Sequence, residues 1–212
     1  MATKERLIEE IISMEWDMFQ GVNNQGGKAS CQEDPKTFQV MRRSQALTRS
    51  AEMLASYHKD LEEARTAGIN LMTEKYAWMM KYTSPGEFEE IRSILPELSD
   101  EKRRWIRRIM ATERNFQSEF AARYPCLAAM GRPSTREEER PGVTSIETYM
   151  ESELATYSQN TLEIYCNDIE TMRNLGINRA ELEVYEMMKG YGFSDLQQAE
   201  DYCIQRKKEG RP

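Results

Sequence analysis

The chain has 212 residues, and its 36 acidic and 29 basic side chains give it a formal net charge of −7. This acidic balance argues against a general nucleic-acid-binding protein, which normally presents a basic face. No apolar run approaches the ~20 residues that cross a bilayer, and the charged start MATKERLIEEII lacks the apolar core of a secretory signal. We therefore expect a cytoplasmic protein that binds neither nucleic acid nor a membrane.

Helix signals recur along the chain, and strand signals do not. Residues 3–20 carry apolar side chains at helical spacing. Asp34 and Pro35 supply an N-cap and a first-turn proline for a long second helix that runs to about Arg65. Residues 69–82 form a third helix that is apolar on most sides.

Further helices are indicated by polar side chains of the kind that cap helix N-termini. These predicted starts are Ser84, Ser99, Thr144, Asn178 and Ser194. Thr144 and Glu147 together read as a capping box, which gives Glu147 a structural role at the start of a long helix to about Leu175. The pattern predicts an all-α fold of about seven or eight helices in an irregular bundle.

Residues 124–143 interrupt the helical pattern with three of the seven prolines and a run of charges. Such a composition is typical of a surface loop or a lid. We expect a single helical domain over residues 1–212, in which this loop divides a larger N-terminal part from a C-terminal helical part.

Two local features bear on metal and nucleic-acid binding. The four cysteines have no CxxC pair, which indicates neither a zinc ribbon nor a disulfide framework, and His58 is the single histidine. We therefore predict no metal and no other cofactor. The basic run EKRRWIRRI at 101–109 is the local exception to the acidic balance, and we interpret it as a solvated helix face.

Four charged side chains break the apolar stripes of the longest predicted helices. They are Glu15, Arg42, Lys75 and Glu153. Burying an unpaired charge is costly, so these groups should meet and form a polar pocket within the helical shell. A lysine held between Leu71 and Trp78 could serve as a base or as a Schiff-base nucleophile, and Glu15 as a general acid or base. The alternative is that each charge forms a structural ion pair or extends to the solvent at a helix end.

The segment from 22 to 45 is unlike the rest of the chain. The run NNQGG at 23–27 should make tight turns that expose backbone N–H groups. Together with the helix start at Pro35, these groups form a candidate anion site, to which Arg42 could add a bidentate clamp. Cys31 is a candidate nucleophile near a helix N-terminus, or else a small apolar filler.

Several blocks of the sequence resemble the family known as domain of unknown function 4125. They are EWDMFQGVNNQGGKASCQEDPKTFQVMRRSQ, NLMTEKYAWMMKYTSP, GRP at 131–133 and SIETYMESELATYSQNTL. The resemblance runs from about residue 10 to 193 and implies a cytosolic bacterial protein. It implies no activity and no catalytic residues. The predicted site therefore depends only on the charged residues that interrupt the apolar stripes.

We favour a protein that binds a small anionic ligand in this pocket and catalyses metal-independent acid/base chemistry of the lyase or isomerase type. An interaction or adaptor module, or a regulatory ligand-binding module without catalysis, is the alternative, and a homodimer is left open. The predicted catalytic residues are Glu15, Lys75 and Cys31. The predicted ligand-binding residues are Asn23, Asn24, Gln25, Gly26, Gly27, Gln32, Arg42, Gln45, Glu153 and Tyr157.

Overall fold

The structure is built from α-helices that are joined by short connections. The computed structural model describes residues 3–23 and 30–210, apart from the side chains at positions 30 and 31. Within these ranges there are eleven α-helices, three short 3-10 helices and no β-strand. The α-helices are α1 (Lys4–Gln20), α2 (Pro35–Leu47), α3 (Ala51–Thr66), α4 (Leu71–Thr83), α5 (Pro85–Ile91), α6 (Asp100–Arg123), α7 (Pro125–Met130), α8 (Ile146–Thr156), α9 (Gln159–Asn174), α10 (Arg179–Gly190) and α11 (Leu196–Lys208). The 3-10 helices are Ser30–Glu33, Arg92–Ile94 and Arg136–Glu138.

The all-α prediction is confirmed for the described ranges, whereas the predicted number of seven or eight helices is wrong. The helix predicted from Pro35 to Arg65 is two helices, because α2 ends at Leu47 and α3 begins after Ser50. The Ser50 hydroxyl accepts a hydrogen bond from the Met53 amide at 3.0 Å. This side-chain cap satisfies a backbone donor that the first turn of α3 leaves without a partner.

The helix predicted from the capping box at Thr144 to about Leu175 is broken in the same way. It ends at Thr156, and Ser158 caps α9 by accepting a hydrogen bond from the Thr161 amide. At both breaks the third residue after the capping serine is neither Glu nor Gln. The sequence therefore has no capping box at these points to reveal the new helix start.

The predicted capping box around Glu147 is also wrong. Helix α8 is capped by Ser145, whose backbone is extended and whose hydroxyl accepts from the Thr148 amide. The Glu147 carboxylate instead forms ion pairs with Arg114 of α6 and with Arg136. Glu147 thus ties α8 to a neighbouring helix and to the preceding connection.

The core lies between α1, α3, α6 and α9, with α4, α8 and α10 packed around these helices. Each central helix contributes a side chain without solvent exposure, and these are Ile8, Leu61, Ile109 and Leu162. Burying one such side chain contributes about 1.5–3 kcal/mol. In the part of the chain that is described, no helix combines the length and apolarity needed to cross a bilayer.

Helix α10 is joined to α6 by a buried ion pair. Arg179 and Glu113 each keep only 1% of their side-chain exposure, and the guanidinium Nη2 lies 2.7 Å from the Glu113 carboxylate. The Tyr165 hydroxyl donates to the same carboxylate at 2.6 Å. Burial opposes the charged form of Glu113, but Arg179 outweighs that effect and holds the pKa of Glu113 below its ordinary value.

The stretch predicted as a loop or lid, residues 124–143, is more ordered than expected. It contains the short helix α7 and the 3-10 helix Arg136–Glu138. Cys126 of α7 forms a disulfide with Cys203 of α11, so the expectation that the cysteines form no disulfide is wrong. The Glu200 carboxylate accepts hydrogen bonds from the Cys126 and Leu127 amides at 2.8 Å. The single-domain organisation stays a prediction.

Candidate functional site

The four charges that interrupt the apolar stripes meet in one place. They form, with three further side chains, a buried group that we call the charge cluster. Its members are Glu15 of α1, Arg42 and Gln45 of α2, Tyr57 of α3, Lys75 of α4, Glu153 of α8, and Tyr157, which follows α8. The cluster therefore joins the first four α-helices of the chain to α8, which lies much later in the sequence.

Helical periodicity explains why these side chains point inward. Glu15 lies one turn from both Ile11 and Met18 on the buried face of α1, and it is 1% exposed. Lys75 lies one turn from Leu71 and from Met79 on α4, and it is 7% exposed. In both helices a charged residue occupies a position that the spacing assigns to the core.

Arg42 is the centre of the cluster. Its Nε atom lies 2.7 Å from one Glu15 oxygen, and its Nη2 atom pairs with the other Glu15 oxygen. The guanidinium also reaches Glu153, with 3.1 Å between Nη2 and Oε1. The Gln45 side-chain oxygen accepts from Nη1 at 2.7 Å. The bidentate clamp expected of Arg42 thus closes on carboxylates of the protein itself.

Glu153 links the two cations. It pairs with the Lys75 ammonium as well as with Arg42. The Tyr157 hydroxyl donates to Glu153 at 3.0 Å, and the Tyr57 hydroxyl donates to Glu15 at 2.8 Å. Two carboxylates and two cations are therefore held together with no net formal charge. Buried charges are tolerated when they are paired in this way.

The electrostatics of the cluster stabilise the charged forms of Arg42 and Glu153. Burial opposes ionisation of Glu153, but Arg42 and Lys75 outweigh it and hold the pKa of Glu153 well below its ordinary value. Burial likewise opposes the charged form of Arg42, yet the neighbouring carboxylates raise its pKa well above the ordinary value. For Tyr57 and Tyr157, burial together with the nearby carboxylates raises the pKa, so both remain hydrogen-bond donors.

One side of the cluster is closer to solvent than the other. The side chain of Glu15 is 1% exposed, whereas Arg42 is 12% and Glu153 is 19% exposed. At this outer edge the Lys75 ammonium lies 5.1 Å from the centre of the Tyr149 ring, and the Arg132 guanidinium lies 4.1 Å from the same ring. The cluster thus has a buried end at Glu15 and an accessible end at Glu153.

Sequence reasoning did not select Tyr57, Tyr149 or Arg132. Tyrosine on an apolar stripe gives no signal of its own, because its ring belongs in a core and only its hydroxyl needs a partner. Arg132 belongs to the block GRP at 131–133, which was noted for the family resemblance and not for any chemistry. That block was the signal from which Arg132 could have been selected.

Of the predicted loop at 23–32, no residue that the structure describes contributes to the charge cluster. Asn24, Gln25, Gly26 and Gly27 lie outside the described residues, and Asn23 is exposed. Gln32 is 2% exposed and donates to the Phe19 and Val22 carbonyls at 2.8 and 3.1 Å. Its amide therefore binds the carbonyl groups at the end of α1, where a helix lacks intrahelical donors.

Two further predictions concern Cys31 and metals. Cys31 lies in the 3-10 helix Ser30–Glu33, and its side chain is outside the described part of the structure. Within the described ranges, no group of three or more His, Cys, Asp or Glu side chains is arranged to hold a metal ion. Glu15 and Glu153 are the two carboxylates of the cluster, and both are engaged by Arg42.

Comparison with known proteins identifies a family and no function. Searches among curated proteins and among solved structures returned no match. The sequence model of one family, described as a protein of unknown function (DUF4125), matches residues 5–201. This match covers nearly the whole chain and agrees with the resemblance seen in the sequence. The chain belongs to the DUF4125 family.

Proposed function

We propose that the protein binds a small anionic molecule at the accessible end of the charge cluster. In this proposal the ligand's carboxylate or phosphate replaces Glu153 as the partner of Lys75 and Arg42. The observation that carries the proposal is the gathering of two cations beside Glu153, whose side chain is 19% exposed, at the edge of an otherwise apolar core. Sites for small ligands commonly combine apolar walls with a few convergent polar groups of this kind.

Replacement of Glu153 by the ligand would also leave the Glu153 carboxylate able to act as a base. Once the ligand pairs with Lys75, the displaced Glu153 carboxylate accepts a proton from a carbon atom next to the ligand's anionic group, and the Lys75 ammonium donates a proton to the oxygen on which charge develops. Glu153 thereby takes the role predicted for Glu15, which stays bound to Arg42 and Tyr57. Proton transfers of this type underlie metal-independent isomerases and lyases.

The first experiment is a thermal-shift screen of the wild-type protein against small carboxylates and phosphate esters, with Lys75→Met in parallel. Lys75→Met keeps the length of the side chain and leaves Glu153 paired with Arg42. Lys59→Met is the matched control, because Lys59 is 74% exposed and, among the residues that the structure describes, pairs only with Glu63, at 3.5 Å. We expect a ligand that raises the midpoint of the wild type and of Lys59→Met but not that of Lys75→Met.

Catalysis is tested separately from binding. The ligand from the screen is incubated with the protein in deuterium oxide, and exchange of its C–H proton is followed by proton NMR. Exchange that the wild type catalyses and Glu153→Gln does not would support acid/base chemistry at Glu153. Binding without exchange would instead identify a regulatory ligand-binding protein.

An interaction module is the second candidate, and a specific observation favours it. Every charged group of the cluster finds partners within the cluster, as expected if the charges are structural. Leu175 and Ile177, which follow α9, are 70% and 42% exposed, and such side chains can contribute to a contact with another protein. If no compound in the screen discriminates Lys75→Met from wild type, this candidate becomes the preferred one.

We propose that the protein functions in the bacterial cytoplasm. Either a monomer or a homodimer is compatible with this proposal. The family resemblance supports the cytoplasmic location. The Cys126–Cys203 disulfide is the observation against it, since stable disulfides are rare in the cytosol of most organisms.

A further inference from the structure

A cleft of about 470 Å³ lies between α4, α6 and α8, and it shares no residue with the charge cluster. Its floor is apolar and includes Ile106, Met110 and Ala155, all of which are buried. The rings of Trp78 and Tyr82 form part of its wall. The volume is within the range of about 300–1,000 Å³ that small-molecule sites usually have.

The rim of the cleft is strongly basic, although the chain as a whole is acidic. Four cationic side chains contribute to its lining, namely Lys81, Arg103, Arg107 and Arg114. Among the described residues that line the cleft, Glu151 is the one carboxylate, and it is already engaged by the Tyr82 hydroxyl at 2.6 Å and by Arg136. The three arginines belong to α6, and two of them lie in the basic run at 101–109, which the sequence predicts to be a solvated face.

Two residues that line this cleft each carry a polar atom that is buried without a hydrogen-bond partner in the described residues. They are the hydroxyl oxygen of Ser152, a residue that is 2% exposed, and the indole Nε1 of Trp78. A buried polar group without a partner is costly, and a bound molecule or water is one way in which such a group is satisfied. Ser152 and Trp78 both have a hydrogen to donate.

Arg107 is a third donor that remains available. It lines the cleft and makes no hydrogen bond or ion pair with any residue that the structure describes. Its neighbours are engaged elsewhere, because Arg114 pairs with Glu147 and Arg103 donates to the Leu98 carbonyl at 3.0 Å. A guanidinium, an indole N–H and a hydroxyl together call for a ligand rich in acceptor oxygens.

We propose that this cleft binds a second small molecule, an anion whose phosphate or carboxylate group is carried on a flat apolar body. The anionic group is held by Arg107 with the Trp78 indole N–H and the Ser152 hydroxyl, and the apolar body rests on Ile106 and Met110. This site is distinct from the charge cluster, so the proposal does not depend on the function proposed above.

Binding is measured by nitrogen–proton NMR of the indole groups. The chain has three tryptophans, and the Trp78 signal is identified as the one that Trp78→Phe lacks. The probes are 1-naphthyl phosphate, 1-naphthoate and the neutral 1-naphthol. We expect the anionic probes to shift the Trp78 signal and 1-naphthol to leave it in place, and the stronger of the two anions indicates phosphate or carboxylate as the natural group.

Two variants with matched controls locate the binding. Arg107→Gln should weaken binding of the stronger probe by about tenfold, because it removes a charge-assisted hydrogen bond. Arg104→Gln is its control, since Arg104 is exposed on the same helix and does not line the cleft. Ser152→Ala should weaken binding a few-fold without lowering the thermal midpoint of the free protein, because the hydroxyl makes no hydrogen bond there.

The possible results separate clearly. A Trp78 shift that Arg107→Gln weakens and Arg104→Gln preserves establishes the site, and Lys75→Met should also preserve it. Equal weakening by Arg104→Gln and Arg107→Gln would reduce the effect to general charge attraction and overturn the proposal. An equal response to 1-naphthol, or no response of Trp78 to either anion at millimolar concentration, would overturn it as well.

Discussion

Arg42 of α2 and Glu153 of α8 are 111 residues apart in the sequence, yet the guanidinium Nη2 lies 3.1 Å from the carboxylate Oε1. The same guanidinium holds Glu15 of α1, and the same carboxylate holds Lys75 of α4. Four helices are therefore joined through one neutral set of charges. The stability of this arrangement depends on all partners being present, because removing one leaves a charge in a poorly solvated place.

Glu153→Gln should lower the free energy of unfolding by about 2–3 kcal/mol. This is less than the ~3–5 kcal/mol typical of a fully buried pair, because Glu153 keeps 19% of its side-chain exposure. Urea unfolding followed by circular dichroism measures the change. Glu63→Gln is the control, since it breaks a pair in which both side chains are more than half exposed and should cost less than about 0.5 kcal/mol. Equal costs for the two variants would contradict the structural account of the cluster.

The contribution of Glu153 should depend on pH in a defined direction. Its pKa is lowered in the folded protein, so the unfolded chain binds the proton more readily and acid favours unfolding. The stability difference between wild type and Glu153→Gln should be constant above about pH 5 and should shrink below about 4.3, the pKa of an unfolded glutamate. Urea titrations across this range test it, and a difference that grows with acidity would show the opposite linkage.

Arg179→Met should be strongly destabilising, at about 3–5 kcal/mol, because the Glu113 carboxyl group would stay in the core without its cationic partner, where burial opposes its charged form and Tyr165 remains as a hydrogen-bond donor. Adding Glu113→Leu to the same protein should restore most of that loss, because two apolar side chains of similar size need no charge partner. Denaturant unfolding of both single variants and of the double variant completes the cycle. Additive losses would mean that the pair is not coupled.

Reduction of the Cys126–Cys203 disulfide should destabilise the protein. The bridge spans 77 residues, and closing a loop of this size restricts the unfolded chain by about 4 kcal/mol in the chain-entropy model. A reducing agent should therefore lower the thermal midpoint of the wild type and leave that of Cys203→Ser unchanged. Peptide mapping without reductant provides the direct check, and a free thiol at Cys126 would contradict the assigned bridge.

The sequence predicts those features of the candidate site that are decided within a single helix. Glu15 and Lys75 are buried as their stripes predict, because helical periodicity alone decides which side chains face the core. The helix breaks before Ser50 and Ser158 were missed, since a serine cap without a Glu or Gln three residues later gives a weak signal.

The sequence by itself determined the all-α class, the inward direction of the charged side chains and the family. Only the tertiary structure decided that Arg42 lies against both Glu15 and Glu153, that Cys126 meets Cys203, and that Arg107, Trp78 and Ser152 line one cleft. The physical reason is the range of the forces involved. Helix periodicity and capping act over a few residues, whereas the partner of a buried charge is chosen by how whole helices pack.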